Sequence, residues 1–193
     1  MNIAVFMDRD GTINEEVGYL NHIDRFKLLP GVIGAIKLIN HLGLKAVVVT
    51  NQSGPARGYY PEQLVKEVHI KLISILKKER AYLDGIYYCC HHPHAVEEAY
   101  RKVCNCRKPN IDLLIQAATD LDIDLKRSYV VGDRYLDIEL AHNAGANGIL
   151  VLTGYGRGEV RYVGPKQKCK PVFIARDLLD AVQWIAKGVK KKQ

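Results

Sequence analysis

Short runs of apolar residues alternate along the chain with segments in which apolar residues recur every three or four positions. Such runs are typical of buried strands, and the wider spacing is typical of helices packed on a sheet. The pattern predicts strands at residues 2–7, 44–50, 85–89, 128–132, 148–152 and 171–175, and helices at residues 31–41, 61–81, 110–121, 135–144 and 177–186, the third capped by Asn110. It therefore predicts an α/β fold in three layers, a Rossmann-like, doubly wound parallel sheet with helices on both faces.

Length and composition describe a single folding unit. The 193 residues suit one α/β domain, and no repeat or low-complexity stretch marks a boundary, so residues 1–193 are predicted to form one domain. No apolar segment approaches the roughly 18 residues that a membrane span needs, and the first strand begins without a secretory leader. We therefore expect a cytoplasmic protein without membrane contact, and we expect a monomer.

The formal net charge of +7 raises the question of nucleic-acid binding. Part of this charge lies in the lysine-rich tail at residues 187–192, which we expect to be a frayed, solvated end. The remaining charge suits a small, multiply phosphorylated substrate equally well. Because basic residues do not interleave with aromatic ones, nucleic acid is not the expected partner.

Polar residues that could bind a ligand or take part in a reaction follow several of the predicted strands. Asp8 and Asp10 come directly after the first strand, Thr50 ends the second, and Asp133 follows the fourth. In parallel sheets, ligands bind beyond the carboxyl ends of the strands, so these side chains are expected to form one site. Two carboxylates two residues apart in extended chain point the same way and repel each other unless a cation intervenes. Mg²⁺ accepts such oxygens and keeps substrate phosphates as further ligands.

The order of these segments resembles the four motifs of the haloacid dehalogenase superfamily of aspartyl-phosphate phosphatases. The resemblance implies that Asp8 is the nucleophile and that Asp10 is the general acid/base. It also implies that Thr50 and Lys108 hold the transferring phosphoryl group. Mg²⁺ would be bound by the side chains of Asp8 and Asp133 and by the backbone carbonyl of Asp10. Asp137, four residues after Asp133, either faces solvent on its helix or braces the site from behind.

Four of the five cysteines lie between residues 89 and 106. In this segment a C-x-H pair, Cys89 and His91, is followed by a C-x-C pair, Cys104 and Cys106. Three thiolates and one imidazole make a closed tetrahedral zinc site, although composition alone leaves a disulfide or inert thiols as alternatives. The predicted zinc ligands are Cys89, His91, Cys104 and Cys106. In extended chain Cys90 points away from this set, but Cys90 and His92 remain alternative ligands. Cys169 is distant and is expected to be a core or surface thiol.

The same loop, Tyr88-Cys89-Cys90-His91-His92-Pro93 to Cys104-Asn105-Cys106-Arg107-Lys108-Pro109, resembles the zinc loop of D-glycero-D-manno-heptose 1,7-bisphosphate phosphatases. The resemblance covers about residues 4–158 and departs from the family at Cys90, where proline is expected. It implies a structural zinc ion that orders the loop and aims Arg107 and Lys108 at the substrate. It also implies removal of the C7 phosphate during the synthesis of nucleotide-activated heptose.

About twenty residues separate Gly11 from Gly31, too few for the large cap domain with which many superfamily members shield their substrates. Substrate contacts must then come from loops. The predicted contacts are Glu16, Val17, Gly18, Tyr19, Thr50, Asn51, Gln52, Ser53, Arg57, Arg107, Lys108 and Arg134. By resemblance, Arg107 recognises the part of the substrate outside the reacting phosphate, for which a guanidinium is well shaped.

Three other functions remain open on the sequence. A histidinol-phosphate phosphatase shares the fold, the nucleophile and a similar zinc loop. A polynucleotide 3′-phosphatase suits a basic protein without a cap. A zinc-organised nucleic-acid-binding module without catalysis would leave Asp8, Asp10 and Asp133 unexplained, because carboxylates repel phosphates.

Overall fold

A six-stranded parallel sheet forms the centre of the molecule. The computed structural model describes residues 1–190, and the strands are β1 (Ala4–Met7), β2 (Lys45–Asn51), β3 (Gly85–Cys89), β4 (Tyr129–Gly132), β5 (Asn147–Val151) and β6 (Phe173–Ala175). Their order in the sheet is β3-β2-β1-β4-β5-β6. The chain therefore winds outward in both directions from β1, which pairs with both β2 and β4. This is the predicted doubly wound topology, and ligands bind where such a winding reverses.

Within residues 1–190, five helices of 9 to 17 residues cover the two faces of the sheet. They are α1 (Val32–His41), α2 (Glu62–Lys78), α3 (Asp112–Leu121), α4 (Tyr135–Asn143) and α5 (Leu178–Lys190). Helices α1, α2 and α5 pack in one hydrophobic core with the β1 side chains Val5 and Met7. Helices α3 and α4 pack on the opposite face with Phe6. Side chains alternate between the two faces of a strand, so β1 contributes to both cores and is buried throughout.

The segment between β1 and α1 contains turns, isolated bridges and one short 3₁₀ turn at Ile23–Arg25. Residues 1–190 therefore carry no large cap domain, as the short spacing predicted. No helix in this part of the chain is both long enough and apolar enough to cross a membrane. Loops that follow the strands line the cavity at the carboxyl edge of the sheet.

Two predictions about helix ends were wrong. Helix α3 begins at Asp112 with Ile111 as its cap, whereas the Asn110 side chain donates to the Cys104 carbonyl at 3.0 Å. Helix α5 continues four residues past its predicted end, because Val189 packs against the core and extends the apolar face. The predicted solvated tail is thus helical up to Lys190, and residues 191–192 of that tail lie outside the described residues.

The sequence pattern also missed a run of short helical turns between β5 and β6. These turns cover residues 156–166 and include Gly156, Gly158 and Gly164, which disfavour helix. Their stability comes from packing, since Val160 and Val163 lie against a third apolar cluster around Tyr135. A Cβ on Gly164 would contact the Tyr135 hydroxyl at 2.5 Å, so this close approach requires glycine.

Candidate active site

A cavity of about 290 Å³ opens at the carboxyl edge of the sheet, around the residues that follow β1, β2 and β4. Every predicted catalytic, magnesium-binding and substrate-binding residue lines it except Val17. Those lining residues are Asp8, Asp10, Glu16, Gly18, Tyr19, Thr50, Asn51, Gln52, Ser53, Arg57, Arg107, Lys108, Asp133 and Arg134. Val17 instead packs against the main core, and its carbonyl accepts a hydrogen bond from Arg25. The further lining residues Leu20, Tyr60, Leu136, Asp137 and Tyr155 were not among the predicted contacts.

A buried lysine connects two of the carboxylates. Nζ of Lys108 lies 2.9 Å from Oδ1 of Asp8 and 2.6 Å from Oδ1 of Asp137, and it donates to the Val49 carbonyl. Burial disfavours the ammonium, but the charges of Asp137 and Asp8 outweigh burial and raise the pKa of Lys108. Lys108 is therefore a fixed cation beside Asp8. Asp137 is 1% exposed, so the solvent-facing alternative was wrong and Asp137 braces the lysine from behind.

The loop that carries Lys108 is held by a side chain of β2. Nδ2 of Asn51 donates to the Lys108 carbonyl at 3.2 Å, and the Lys108 amide donates to Oδ1 of Asn51 at 3.0 Å. Asn51 was predicted as a substrate contact, yet both ends of its amide already bind the Lys108 backbone. Its observed contacts position the lysine.

Asp10 lies in a different electrostatic environment from Asp8. Its carboxylate accepts hydrogen bonds from Arg9, Asn14 and Gln52, the closest at 2.7–2.8 Å. Burial opposes ionisation, but the Arg9 charge and these hydrogen bonds together lower the pKa of Asp10. Arg9 was not among the predicted site residues, and it is buried although arginine is normally exposed. Gln52, a predicted substrate contact, is occupied here in holding Asp10 and Thr50.

Asp133 supplies the third carboxylate at the tips of β1 and β4. Oxygen atoms of Asp8, Asp133 and Asp137 all lie within 4.8 Å of one another. Burial, and then the nearby Asp8 charge, raise the pKa of Asp133 to about 8. Among the described residues, Oδ1 of Asp133 is buried without a hydrogen-bond partner. A buried, unpartnered oxygen in a cluster of repelling carboxylates is a donor set that suits a hard divalent cation.

The loop after β5 closes the site on one side and was not recognised in the sequence. Oγ1 of Thr153 donates to the Gly11 carbonyl at 2.6 Å, and the Tyr155 amide donates to Oδ2 of Asp133 at 2.8 Å. Between them, Gly154 has a φ of +52°, and a Cβ at this position would overlap Asp133 and approach Cα of Gly11 at 2.7 Å. This loop therefore fixes both Asp133 and the segment after β1 that carries Gly11.

The four predicted zinc ligands come together at one side of the cavity. Nδ1 of His91 lies 3.2 Å from Sγ of Cys106, and the three sulfur atoms lie 3.0–3.6 Å from each other. All four donor atoms are within 4.8 Å of one another, as a tetrahedral site requires. Cys90 and His92 lie outside this cluster, and Nε2 of His92 instead contacts Arg57 at 3.4 Å. Cys169 packs against the apolar cluster around Tyr135, away from the site.

Three arginines that are partly or fully exposed line the cavity and define its mouth, whereas the lining residues Asp133 and Asp137 are buried and belong to its acidic floor. Nη1 of Arg107 donates to the His91 carbonyl at 3.3 Å, which ties this arginine to the segment 89–106, the cysteine loop. Arg57 lies over the Tyr19 ring at 5.9 Å, and its buried Nε has no hydrogen-bond partner in the described part of the chain. Arg134 lies in the same way over Tyr155, at 5.0 Å. The mouth can therefore bind an anionic group beyond the reacting centre.

Comparison with known proteins gives concordant matches. Residues 105–181 match the HAD-hydrolase-like family model. The chain is 43% identical over 186 residues to a D-glycero-D-manno-heptose-1,7-bisphosphate 7-phosphatase of Thermosynechococcus vestitus, covering 94% of each protein. It is 40% identical to the D-glycero-beta-D-manno-heptose-1,7-bisphosphate 7-phosphatase of Escherichia coli K12, over 98% of this chain and 97% of that protein.

A solved structure agrees with these relatives. The D,D-heptose 1,7-bisphosphate phosphatase from B. bronchiseptica, crystallised with magnesium and phosphate, superimposes with a TM-score of 0.85 at 28% identity. The superposition covers 97% of this chain and 99% of that one. The similarity thus extends beyond residues 4–158, to which the sequence motifs alone had limited it.

Fold and site together define a phosphoric monoester hydrolase of the haloacid dehalogenase-like class. Within that class, the chain belongs to the D-glycero-D-manno-heptose 1,7-bisphosphate 7-phosphatase family. The alternative of a non-catalytic nucleic-acid-binding module was wrong, because the chain is an enzyme of this family.

The contact between Gly154 and Asp133 can be tested directly. In Gly154→Ala, the added methyl group must displace Asp133 or Gly11, and a displacement of about 1 Å at a reacting centre can cost about a hundredfold in rate. We expect kcat/KM to fall by about this factor. Gly43→Ala is the matched control, because Gly43 also has a positive φ (+67°) but has open space around it. Both variants should melt at lower temperature, and equal activity in the two would contradict the role of Gly154.

Proposed function

We propose that this protein is a Mg²⁺-dependent phosphatase that hydrolyses the C7 phosphate of D-glycero-D-manno-heptose 1,7-bisphosphate and leaves the 1-phosphate. The observation that carries the proposal is the near-full-length similarity to relatives that bear this name. The acidic floor and cationic mouth of the cavity support it, since a bisphosphate needs one site for the reacting phosphate and one for the other.

The proposed reaction has two steps, both carried by Asp8 and Asp10. A carboxylate oxygen of Asp8 attacks phosphorus, the bond to the sugar oxygen breaks, and Asp10 gives that oxygen its proton. Water then attacks the phosphorus of the aspartyl-phosphate while Asp10 accepts a proton from that water, and the bond between phosphorus and Asp8 breaks to release inorganic phosphate. The lowered pKa of Asp10 suits this second step. The first step needs the protonated form, which the negative charge of a bound phosphate favours.

Lys108 and Thr50 are proposed to hold the transferring phosphoryl group. Lys108 is a buried cation 2.9 Å from Asp8, so it faces the charge that develops on the phosphoryl oxygens. The Thr50 hydroxyl accepts a hydrogen bond from Gln52, which leaves its own proton available for a phosphoryl oxygen. Asn51 and Asp137 support this arrangement through their contacts with Lys108.

Mg²⁺ would be held by the side chains of Asp8 and Asp133 and by the backbone carbonyl of Asp10. The carboxylate of Asp10 is paired with Arg9, so its side chain is not part of the carboxylate cluster. When bound, the ion would offset the repulsion between Asp8 and the incoming phosphate and stabilise the charge of the transferring group.

Zinc is proposed as the structural ion of residues 89–106. The four donors make a closed set with no position for water, so the ion would take no part in the reaction. Its effect would be exerted through Arg107 and Lys108, which follow Cys106 directly. Zinc bound to these four ligands would fix the position of Cys106, and with it the position of the two cationic residues that follow it and line the cavity.

A substrate panel tests the whole proposal. It compares both anomers of the heptose bisphosphate with fructose 1,6-bisphosphate, histidinol phosphate and a 3′-phosphorylated oligonucleotide. One heptose anomer should give the highest kcat/KM. A preference for histidinol phosphate or for the oligonucleotide would assign the enzyme to that alternative instead.

We also expect a monomer that acts in the cytoplasm. Gel filtration of the purified protein tests the expected monomer.

Asp8→Asn should abolish turnover, because an amide is a poor nucleophile and a poorer ligand for Mg²⁺. Activity with p-nitrophenyl phosphate should fall at least a thousandfold, since the covalent route is lost. Asp24→Asn is the control, because this side chain is 82% exposed and does not line the cavity. Near-normal turnover in a folded Asp8→Asn protein, as judged by thermal melting, would remove Asp8 from the mechanism.

Purified protein should contain one zinc ion per chain. The double variant Cys104→Ser, Cys106→Ser should lose it, and both melting temperature and activity should fall. Cys90→Ser should retain full zinc, because Cys90 lies outside the donor cluster. Metal analysis decides the matter, and wild-type protein without zinc, or a zinc-loaded double variant, would contradict the site.

Arg107 and Lys108 should differ in their effect on specificity. Arg107→Ala removes a charge-assisted contact to the non-reacting part of the bisphosphate, worth about 1.5–3 kcal/mol, or about ten- to a hundredfold in kcat/KM. The same change should barely affect p-nitrophenyl phosphate, which has no second phosphate. Lys108→Ala should depress both substrates together. Equal losses for Arg107→Ala on the two substrates would place Arg107 at the reacting phosphate.

A further inference from the structure

A charged side chain that does not line the cavity lies directly against Asp10. Arg9 is 1% exposed, and its Nε and Nη2 donate to the Asp10 carboxylate at 2.8–3.3 Å. Nη2 also donates to Oε1 of Gln52 at 2.8 Å. A buried guanidinium is tolerated only when its charge is paired and its donors are satisfied. These contacts account for Nε and Nη2 and leave Nη1 in need of an acceptor.

His69, on helix α2, supplies a hydrogen-bond acceptor for Nη1 of Arg9. The side chain is buried, and its Nε2 lies 3.3 Å from Nη1 of Arg9. Arginine has no acceptor, so a hydrogen bond between the two requires a neutral imidazole with its proton on Nδ1. Burial, and then the Arg9 charge, lower the pKa of His69 to about 4, which is consistent with a neutral ring.

The imidazole is itself fixed by the sheet and by the cysteine loop. It packs edge-to-face against Tyr88, with 5.1 Å between the ring centroids. The Tyr88 hydroxyl donates to Glu62 at 2.8 Å, and the same carboxylate accepts from Tyr100 at 3.0 Å. Tyr88 directly precedes Cys89, so His69 is held between the acid/base and the segment that carries the first predicted zinc ligand.

We propose that His69 is a positioning residue for the phosphatase reaction: by accepting from Nη1 it holds Arg9, and through Arg9 it orients the Asp10 carboxylate in the cavity. The inference rests on the acid/base role of Asp10 proposed above. Asn14 and Gln52 bind Asp10 from other sides, but neither contacts Nη1 of Arg9. Without His69, that buried donor is unsatisfied and the guanidinium moves to find a partner. A misplaced Asp10 carboxyl group is a poor proton donor in its protonated form, because proton transfer needs hydrogen-bond geometry.

The test uses the Mg²⁺-loaded full chain and two substrates that differ in leaving group. Phenyl phosphate releases a basic phenolate that needs a proton from Asp10, whereas p-nitrophenyl phosphate releases a stable anion. Since kcat/KM reports the steps up to departure of the leaving group, the ratio of the two kcat/KM values measures the help given by the acid. Neither substrate contains a sugar, so the sugar specificity of the enzyme does not affect this ratio.

His69→Phe keeps the ring against Tyr88 and removes the acceptor. It should lower kcat/KM for phenyl phosphate about tenfold more than for p-nitrophenyl phosphate, a part of the 10²–10⁴-fold that general acids contribute. His69→Gln restores an acceptor and should recover most of the ratio. Leu72→Ala is the control for stability, since Leu72 is a fully buried α2 residue in the hydrophobic core. It should lower the melting temperature and leave the ratio unchanged.

Asp10→Asn separates this inference from its premise. If Asp10→Asn leaves the ratio unchanged, the acid role of Asp10 is overturned, and the role of His69 with it. If Asp10→Asn shifts the ratio but His69→Phe does not, only the role of His69 is overturned. In the double variant, His69→Phe should add nothing to the effect of Asp10→Asn, because both act through one carboxylate. Additive effects, or equal shifts in Leu72→Ala and His69→Phe, would also overturn it.

Discussion

Four carboxylates gather near the tips of β1 and β4, and two buried cations pair with three of them in two separate units. Lys108 pairs with Asp8 and Asp137, whereas Arg9 pairs with Asp10. Like charges this close would otherwise raise each other's pKa, as happens at Asp133, whose burial is not offset by a cation. The division gives Asp8 and Asp10 different surroundings although they are only two residues apart. Two carboxylates with two roles require such a difference.

Much of the remaining structure serves to hold these two cations in place. Lys108 sits on a loop rather than on a helix or strand, so its position depends on Asn51, on Asp137 and on the cysteine cluster just before it. Arg9 depends on Gln52 and His69, which come from β2's continuation and from α2. The supports therefore come from segments far apart in the sequence, and folding must be complete before the site exists.

The fold and the site differ in how far the sequence predicts them. Strand and helix periodicity is a local property, so all six strands and five helices were predicted to within a few residues. Asp8, Asp10 and Asp133 were predictable because each follows a strand in a parallel sheet. Burial of a charge is a property of the assembled fold, so Arg9 gave no local signal. The turns at residues 156–166 were missed for a related reason, since contacts with Tyr135 override the low helix propensity of their glycines.

Residues predicted from motif position alone divide into two groups in the structure. Arg57, Arg107 and Arg134, which were predicted as substrate contacts, line the mouth of the cavity. Asn51 and Gln52 also line it, but their amide groups are occupied by Lys108 and by Asp10. A polar side chain whose donors and acceptors are already satisfied gains little from a ligand and much from keeping its partner in place. In the proposed reaction, the second group would therefore act through the residues it holds, in the same way as His69 would act through Arg9.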